Sequence, residues 1–443
     1  MNFDNIGLNV PEIFLPKNDV DMTKWAVVAC DQYTSQPEYW KDVKAITANS
    51  PSTLNLILPE VYLESDEEEK IIEDINKNMA DYVDNGTLEN RGKGFVLLDR
   101  KTCNASSRKG LVVALDLEKY DYSKGSKTLI RATEGTIVDR LPPRIKVRQN
   151  ASIELPHIMV LIDDPEKTVI EPLFAKNPEK IYDIDLMKDS GHISGYMIDD
   201  EETINEIAEK LTALTEPSLF QSKYAVVDDS PLLYAMGDGN HSLATAKAIW
   251  EKIKEDATDK TSVMDNPARY ALVELVNLHD GGLEFEAIFR AIFNIDPSDM
   301  LDKMKKFYAD QNSEVTINEF DSIDAAKKYS GSTGSHIFQF ITENRYGAIE
   351  VTNPNLTLET ATLQNFIDTY LQDNSEASVD YIHGEDVTEE LGKKPGNIGF
   401  LLPSISKHSL FKTIICDGAL PRKTFSMGEA SEKRFYIECR KIK

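Results

Sequence analysis

Apolar residues along this chain follow two rhythms: short unbroken runs, and stripes that repeat every three to four positions. The runs at 94–98, 111–117, 158–162 and 270–278 are rich in Val, Ile and Leu, which predicts strands, those at 158–162 and 270–278 buried. A similar run at 25–30, Trp-Ala-Val-Val-Ala-Cys, predicts a strand that stops at Asp31. The stripe Ile71, Ile72, Ile75, Met79 and Val83 predicts an amphipathic helix over 65–83. Its acidic start at 66–69 suits the positive end of the helix dipole. The pattern at 181–198 predicts two short strands around Ser190-Gly191, and 201–214 predicts a helix.

Beyond residue 280 the two rhythms mix. Helices are expected over 297–308, 362–371 and 404–416, and strands over 336–341, 346–351, 379–384, 397–402 and 434–439. The expected fold class is α/β grading to α+β, with mixed sheets and flanking helices. At 443 residues the chain is long for one core. Residues 1–260 are expected to form an α/β domain and 261–443 an α+β domain packed on it, with the site between them. The sequence carries no internal repeats or low-complexity tracts.

Charge narrows the function. Lys and Arg number 49 against 75 Asp and Glu, a net charge of −26, which argues against a general binder of nucleic acid or of anionic membranes. No apolar run approaches the roughly twenty residues of a membrane span. The start, Met1-Asn2-Phe3-Asp4-Asn5, lacks the basic and apolar regions of a signal peptide, so a cytoplasmic location is expected. Cys30, Cys103, Cys416 and Cys439 are widely scattered and read as reduced thiols rather than a zinc site.

Against this acidic background, 234–247 concentrates candidate chemistry. A short apolar run at 231–236 empties into Gly237-Asp238-Gly239-Asn240-His241, and a helical pattern follows with Leu243, Ala244, Ala246, Ala248, Ile249 and Trp250. A strand, tight turn and helix start aim backbone N–H groups and the helix dipole at one point, which suits phosphate or another anion. The spacing is neither Gly-x-Gly-x-x-Gly nor Walker A. Gly and Asn equally suit a plain turn leading into a helix cap, so both readings stand.

Other stretches add charge. Arg131, Arg140, Arg144, Lys146 and Arg148 lie within eighteen residues, and Pro142-Pro143 is expected to interrupt any helix there and stiffen a loop. Guanidiniums so held suit carboxylate or phosphate, or else they pair with the abundant Asp and Glu. Asp31, directly after a strand, is placed where α/β active sites collect or caps a helix starting near Pro37. Asp163-Asp164 likewise reads as an Mg²⁺ pair or a helix cap before Pro165. The loop at 418–429, with Arg422 and Lys423, offers a second cationic turn or an exposed connection.

Several of these motifs occur together in a telling order: Arg131-Ala132-Thr133-Glu134-Gly135, Arg140-Leu141-Pro142-Pro143-Arg144, Asp238-Gly239-Asn240-His241, Glu274-Leu275-Val276-Asn277-Leu278-His279-Asp280, Arg290, and Gly418 to Lys423 with Phe425. This resembles the bacterial and archaeal domain-of-unknown-function family number ten-fifteen over nearly the whole chain. Some members of that family resemble free-serine kinases of the ParB/sulfiredoxin-like fold. The resemblance implies a ParB/sulfiredoxin-like nucleotide-binding core. It also implies phosphorylation of free L-serine or a similar small metabolite from ATP or ADP with Mg²⁺. In that wider group a Gly-x-His-Arg-like turn binds phosphates and a carboxylate activates the acceptor hydroxyl; Asp238, Gly239 and His241 stand at matching positions. The chain departs where His241-Ser242 replaces His-Arg, where Ala29-Cys30-Asp31-Gln32-Tyr33 replaces Pro-Pro-Tyr-Asp, and where Phe289-Arg290 replaces His-Arg.

For a kinase of this kind the expected roles are specific. Asp31 is the expected general base, with Glu134 second and His241 at the phosphates. Gly237, Asp238, Gly239 and Asn240 would cradle phosphate, joined by Arg131, Arg140, Arg144, Arg290, Arg422 and Lys423. Asp238 is the expected Mg²⁺ ligand. The departures equally suit a non-catalytic regulatory protein that binds a nucleotide or an amino acid.

Overall fold

The unbroken apolar runs become the middle of one large sheet. The computed structural model describes residues 2–443 except Ser35, Lys124, 137–140, 228–229 and Arg422, so the expected site residues Arg140 and Arg422 lie outside the described residues. The chain divides into two units, Met1–Glu284 with Met427–Lys443, and Phe285–Ser426.

In the first unit the strands that matter are β1 (Phe95–Lys101), β2 (Arg108–Asp116), β3 (Tyr120–Asp121), β4 (Ile130–Arg131), β5 (Met159–Ile162), β6 (Glu179–Asp185), β7 (His192–Ile198), β8 (Tyr234–Asp238) and β9 (Tyr270–Asn277). Their order across the sheet is β6-β7-β1-β2-β9-β5-β8-β4-β3. β5 runs parallel to β9, β8 runs antiparallel to β5, and β4 runs parallel to β8. Alternate side chains enter different cores. Phe95, Leu97, Leu111, Val113, Leu115 and Val273 face one core, while Val96, Leu98, Val112 and Leu272 face another. A strand buried on both faces has no polar face to show, which is why these runs read as continuous.

Helices cover both faces. α1 (Pro37–Thr47) gives Tyr39, Trp40 and Val43 to the second core. α2 (Glu68–Asp84) turns Ile72, Ile75 and Met79 into a third core with Trp25 and Cys439. α3 (Leu141–Arg148) follows β4, and α4 (Glu201–Ala213) and α5 (Asn240–Asp256) pack on the first core through Ile204, Ile207, Leu211, Leu243, Ala246 and Trp250. No helix of the described residues is long and apolar enough to cross a membrane.

Three expectations change. The stretch expected as a proline-stiffened loop is the helix α3; its two prolines fall in the first turn, where backbone N–H groups have no helical partner to lose. The run at 25–30 is a strand only at Val27–Val28, because Trp25 ends a short helix capped by Asp21. The division falls after Glu284 rather than at 260/261: β9 is a central strand of the first sheet, and Met427–Lys443 returns to the same unit.

The main sheet of the second unit is antiparallel and six-stranded among the described residues, with β10 (Phe289–Phe293), β11 (Glu314–Phe320), β12 (His336–Ile341), β13 (Tyr346–Thr352), β14 (Ser378–Ile382) and β15 (Ile398–Leu401) in the order β11-β13-β12-β15-β10-β14. Met300, Leu301, Met304, Phe366 and Ile367 from α6 (Pro297–Ala309) and α7 (Glu359–Asp373) pack on it.

Candidate functional site at the start of α5

Strand pairing brings the site together. Asp238 at the end of β8 lies opposite Met159 at the start of β5, so the turn into α5 lies beside the residues that lead into β5. Backbone conformation favours glycine at 239, and neighbours crowd both glycines of the turn. Gly239 has φ of 80°, and a Cβ there would stand 3.1 Å from the Ile158 Cα. A Cβ on Gly237 would stand 2.8 Å from the Met427 Cε and 3.2 Å from the Met159 carbonyl oxygen.

His157, just before β5, meets the first turn of α5. Its Nε2 is 3.0 Å from the Ser242 Oγ and 3.9 Å from the Asp31 Oδ2. Its Nδ1 is 2.8 Å from the Tyr436 hydroxyl, which also accepts the Cys30 N–H at 3.2 Å. The tautomer sets the direction of each bond. With Tyr436 donating to Nδ1, the Nε2–H faces Ser242 and Asp31; with the proton on Nδ1, Nε2 accepts the Ser242 proton. Either way one imidazole nitrogen faces both a hydroxyl and a carboxylate.

Charge around this centre is paired. Lys433 Nζ is 3.1 Å from the Asp238 Oδ2. Burial pushes the Asp238 carboxyl up, but Lys433 and His157 outweigh it and hold it below the ordinary carboxylate value. Arg144 of α3 pairs with Glu60, whose backbone N–H donates to the Cys30 carbonyl at 2.8 Å. Burial lifts the Glu60 carboxyl, Arg144 opposes the shift, and the nearby Asp31 charge adds to it. Burial, with Asp31 and Glu60 beside it, also pushes the Cys30 thiol far up, so Cys30 stays protonated and is no nucleophile. A cavity of about 140 Å³ adjoins His157, Ser242, Tyr436, Glu60 and Arg144.

The expected site residues sort clearly. Gly237, Asp238, Gly239, Asn240 and His241 form the turn and first residues of α5, with Asp31 and Arg144 nearby through His157 and Glu60. Thr133, beside the expected base Glu134, receives a long 3.4 Å contact from the Asn240 Nδ2, and the buried Asn240 Oδ1 has no hydrogen-bond partner among the described residues. Arg131 lies buried in β4 with its guanidinium on the Thr128 and Ser230 carbonyls, at 2.9 and 2.8 Å. Arg290 and Lys423 belong to the second unit. Arg290 is fully buried in β10, donating to Gln364 and to the Ile288 carbonyl and lying over the Tyr381 ring.

Sequence reasoning missed His157, Tyr436, Lys433 and Glu60. Only His157 carries a local signal, a polar residue entering a buried strand. The others join from distant stretches. Among the described residues no cluster of three or more His, Cys, Asp or Glu is placed to hold a metal ion, and Asp238 faces Lys433.

The opposite end of β5 carries a second polar cluster. Asp163 accepts from Tyr224 at 2.5 Å, from Lys223 at 2.9 Å, and stands 2.6 Å from the His279 Nε2. Asp164 takes the backbone N–H groups of Thr168 and Val169, at 2.6 and 2.9 Å, and so holds a turn; the helix expected to start at Pro165 is not there, and the next helical turn, Glu171–Lys176, begins after Ile170.

These features define a mixed α/β protein whose strand–turn–helix junction gathers an imidazole, a hydroxyl and carboxylates. Over residues 14–370 the chain matches the family described as protein of unknown function (DUF1015), and it belongs to that family. No curated protein matches it. Among solved structures it is similar to a mutant free serine kinase in complex with ADP, with TM-score 0.40 and 11% identity, covering 75% of this chain and 92% of that one. It is also similar to a conserved hypothetical protein from Pyrococcus furiosus, with TM-score 0.37 and 12% identity, covering 73% of this chain and 93% of that one. A third is SbnI with C-terminal truncation from Staphylococcus aureus, with TM-score 0.36 and 7% identity, covering 72% and 82%. Likenesses this weak assign no activity.

Proposed function

We propose that the chain, on a ParB/sulfiredoxin-like core, transfers a phosphoryl group from ATP or ADP to the hydroxyl of free L-serine or a similar small metabolite. The observation that supports this reading is the position of the His157 Nε2, between the Ser242 hydroxyl and the Asp31 carboxylate, at the first turn of α5. The N–H groups of that first turn have no acceptor within the helix and point toward an incoming anion.

In this reading the turn Gly237 to His241 cradles the donor phosphates. The acceptor oxygen forms its bond to phosphorus as the bond to the donor's bridging oxygen breaks, and the departing nucleotide keeps that electron pair. The acceptor's proton passes to Asp31 or to the His157 Nε2, with Asp31 stabilising the imidazolium. Glu134 is the alternative base. The Asn240 Oδ1 supplies an acceptor for a ligand N–H or O–H.

One observation favours a second reading, a protein that binds nucleotide or amino acid without turnover. Arg144 and Lys433 already pair with Glu60 and Asp238, which leaves less positive charge for phosphates than a kinase uses. The test is to incubate the protein with Mg²⁺, ATP or ADP and a panel of amino acids, and to follow O-phosphoserine by mass spectrometry. Product is expected, and His241→Ala should lower kcat/KM about 100-fold. No product with any donor, together with nucleotide binding by calorimetry, would replace the kinase reading with the binding one.

A further inference from the structure

The imidazole that serves the proposed acceptor already holds a serine hydroxyl of the chain itself. The Ser242 Oγ, in the third residue of α5, stands 3.0 Å from the His157 Nε2, and the Asp31 Oδ2 is 3.9 Å from the same nitrogen. A serine hydroxyl is a weak nucleophile alone and becomes an effective one when a neighbouring base takes its proton. With the His157 proton on Nδ1, facing the Tyr436 hydroxyl at 2.8 Å, Nε2 is that base. Ser242 is partly exposed and lines the half-open cavity of about 140 Å³, so the residue is open to a reagent in that space.

The same turn suits a phosphate on that oxygen. The Leu243 N–H closes on the Gly239 carbonyl at 3.0 Å, so the N–H groups ahead of it have no acceptor within the helix. A phosphorylated serine in the first turn lies at the positive end of the helix dipole, where added negative charge is stabilised. Asn240, the first residue of the helix, is only 9% exposed, and its Oδ1 has no hydrogen-bond partner among the described residues. A buried acceptor left over at this turn points to a ligand that brings a donor, and a ribose hydroxyl of a nucleotide is one.

We infer that Ser242 is itself a phosphoryl acceptor, and that the chain phosphorylates this residue in place. The inference rests on the proposed function for its donor, a nucleoside tri- or diphosphate, and adds a second acceptor of the same chemical kind as free serine. The Ser242 Oγ forms a bond to the terminal phosphorus as that atom's bond to the bridging oxygen breaks, and the departing nucleotide keeps the electron pair. The hydroxyl proton passes to the His157 Nε2 and from there to solvent. The imidazolium formed on the way has the new phosphate on one side and the Asp31 carboxylate on the other, and both stabilise it.

The test is to incubate the full chain with Mg²⁺ and ATP or ADP, without any amino acid, and to follow the intact mass for one added phosphoryl group. Acid treatment and peptide mapping separate phosphoserine from acid-labile phosphohistidine. Ser242 should carry the group, at a first-order rate that does not change with protein concentration. His157→Gln should slow labelling about 100-fold. Ser242→Ala should remove the label, and Ser242→Thr, which keeps a hydroxyl, should retain it at that position, with thermal melts confirming that each variant is folded. Label at another residue only, a rate that rises with protein concentration, or no label on folded wild-type protein overturns the inference. O-phosphoserine made from free serine by protein that never labels Ser242 would sink the inference and keep the kinase reading. Label on Ser242 without transfer to any added amino acid would keep the inference and remove free serine as the acceptor.

Discussion

The two ends of β5 carry the same residue types to different effect. At its start His157 faces a carboxylate 3.9 Å away, bonds to a hydroxyl on each side, and adjoins a cavity. At its far end His279 stands 2.6 Å from Asp163, a carboxylate also engaged by Lys223 and Tyr224 and only 8% exposed. Burial raises the Asp163 carboxyl, but bonds from Tyr224, His279 and Lys223 hold it below the ordinary value. One cluster is closed around a shared carboxylate; in the other Asp31 accepts from the Gln32 amide at 2.9 Å and keeps its second oxygen 3.9 Å from His157, which adjoins the cavity. A histidine and an aspartate near a strand end therefore do not make a site; spare bonding capacity beside a cavity does.

That contrast can be broken most forcefully at the closed end. Asp163→Ala strips Lys223, Tyr224 and His279 of a shared buried partner and should destabilise the protein by about 3 kcal/mol. Denaturant unfolding of wild type and variant checks this, and ligand binding at the other end of the strand should persist. Ser242→Ala, at the open end, should lower phosphoryl transfer about 100-fold while the melting temperature stays within a few degrees.

Smaller changes sharpen the same contrast. Gly239→Ala places a side chain at positive φ and against the Ile158 backbone, and should cost about 1–2 kcal/mol while also weakening nucleotide binding. The smallest expected effect is that of Lys433→Met on acid sensitivity. The Asp238 carboxyl titrates below its ordinary value of 3.8, so its contribution to stability is present above that pH and lost as pH falls through the depressed value. Without Lys433, burial lifts the carboxyl, so unfolding free energy should fall less between pH 7 and pH 3 than in wild type. Unfolding curves across that range read the difference.

Much of this arrangement was legible in the residues. The strands announced themselves as unbroken apolar runs because Val112 and Val113 must satisfy opposite cores. The Gly239 turn was legible because few residues tolerate its backbone. Arg144 was read onto a loop because two prolines usually end a helix, whereas here they begin one. Arg290 was read as an anion binder, since sequence shows a guanidinium but not the Gln364 and backbone carbonyl that already satisfy it. Lys433 comes about two hundred residues after the Asp238 it meets and Tyr436 comes 279 after His157, and the β-pairing of Phe435–Tyr436 with Val27–Val28 helps to deliver them. His157 was not read as a site residue because its one local signal, a polar residue entering a buried strand, comes with no spacing that points to chemistry.

The central claim is that chemistry resides at the start of β5 and not at its far end. Phosphoryl transfer measured side by side in His157→Gln and His279→Gln tests it most directly. The account predicts at least a 100-fold loss of kcat/KM in His157→Gln with little change in melting temperature, and near-normal transfer in a less stable His279→Gln. Full activity in His157→Gln, with transfer abolished in a folded His279→Gln, would contradict it.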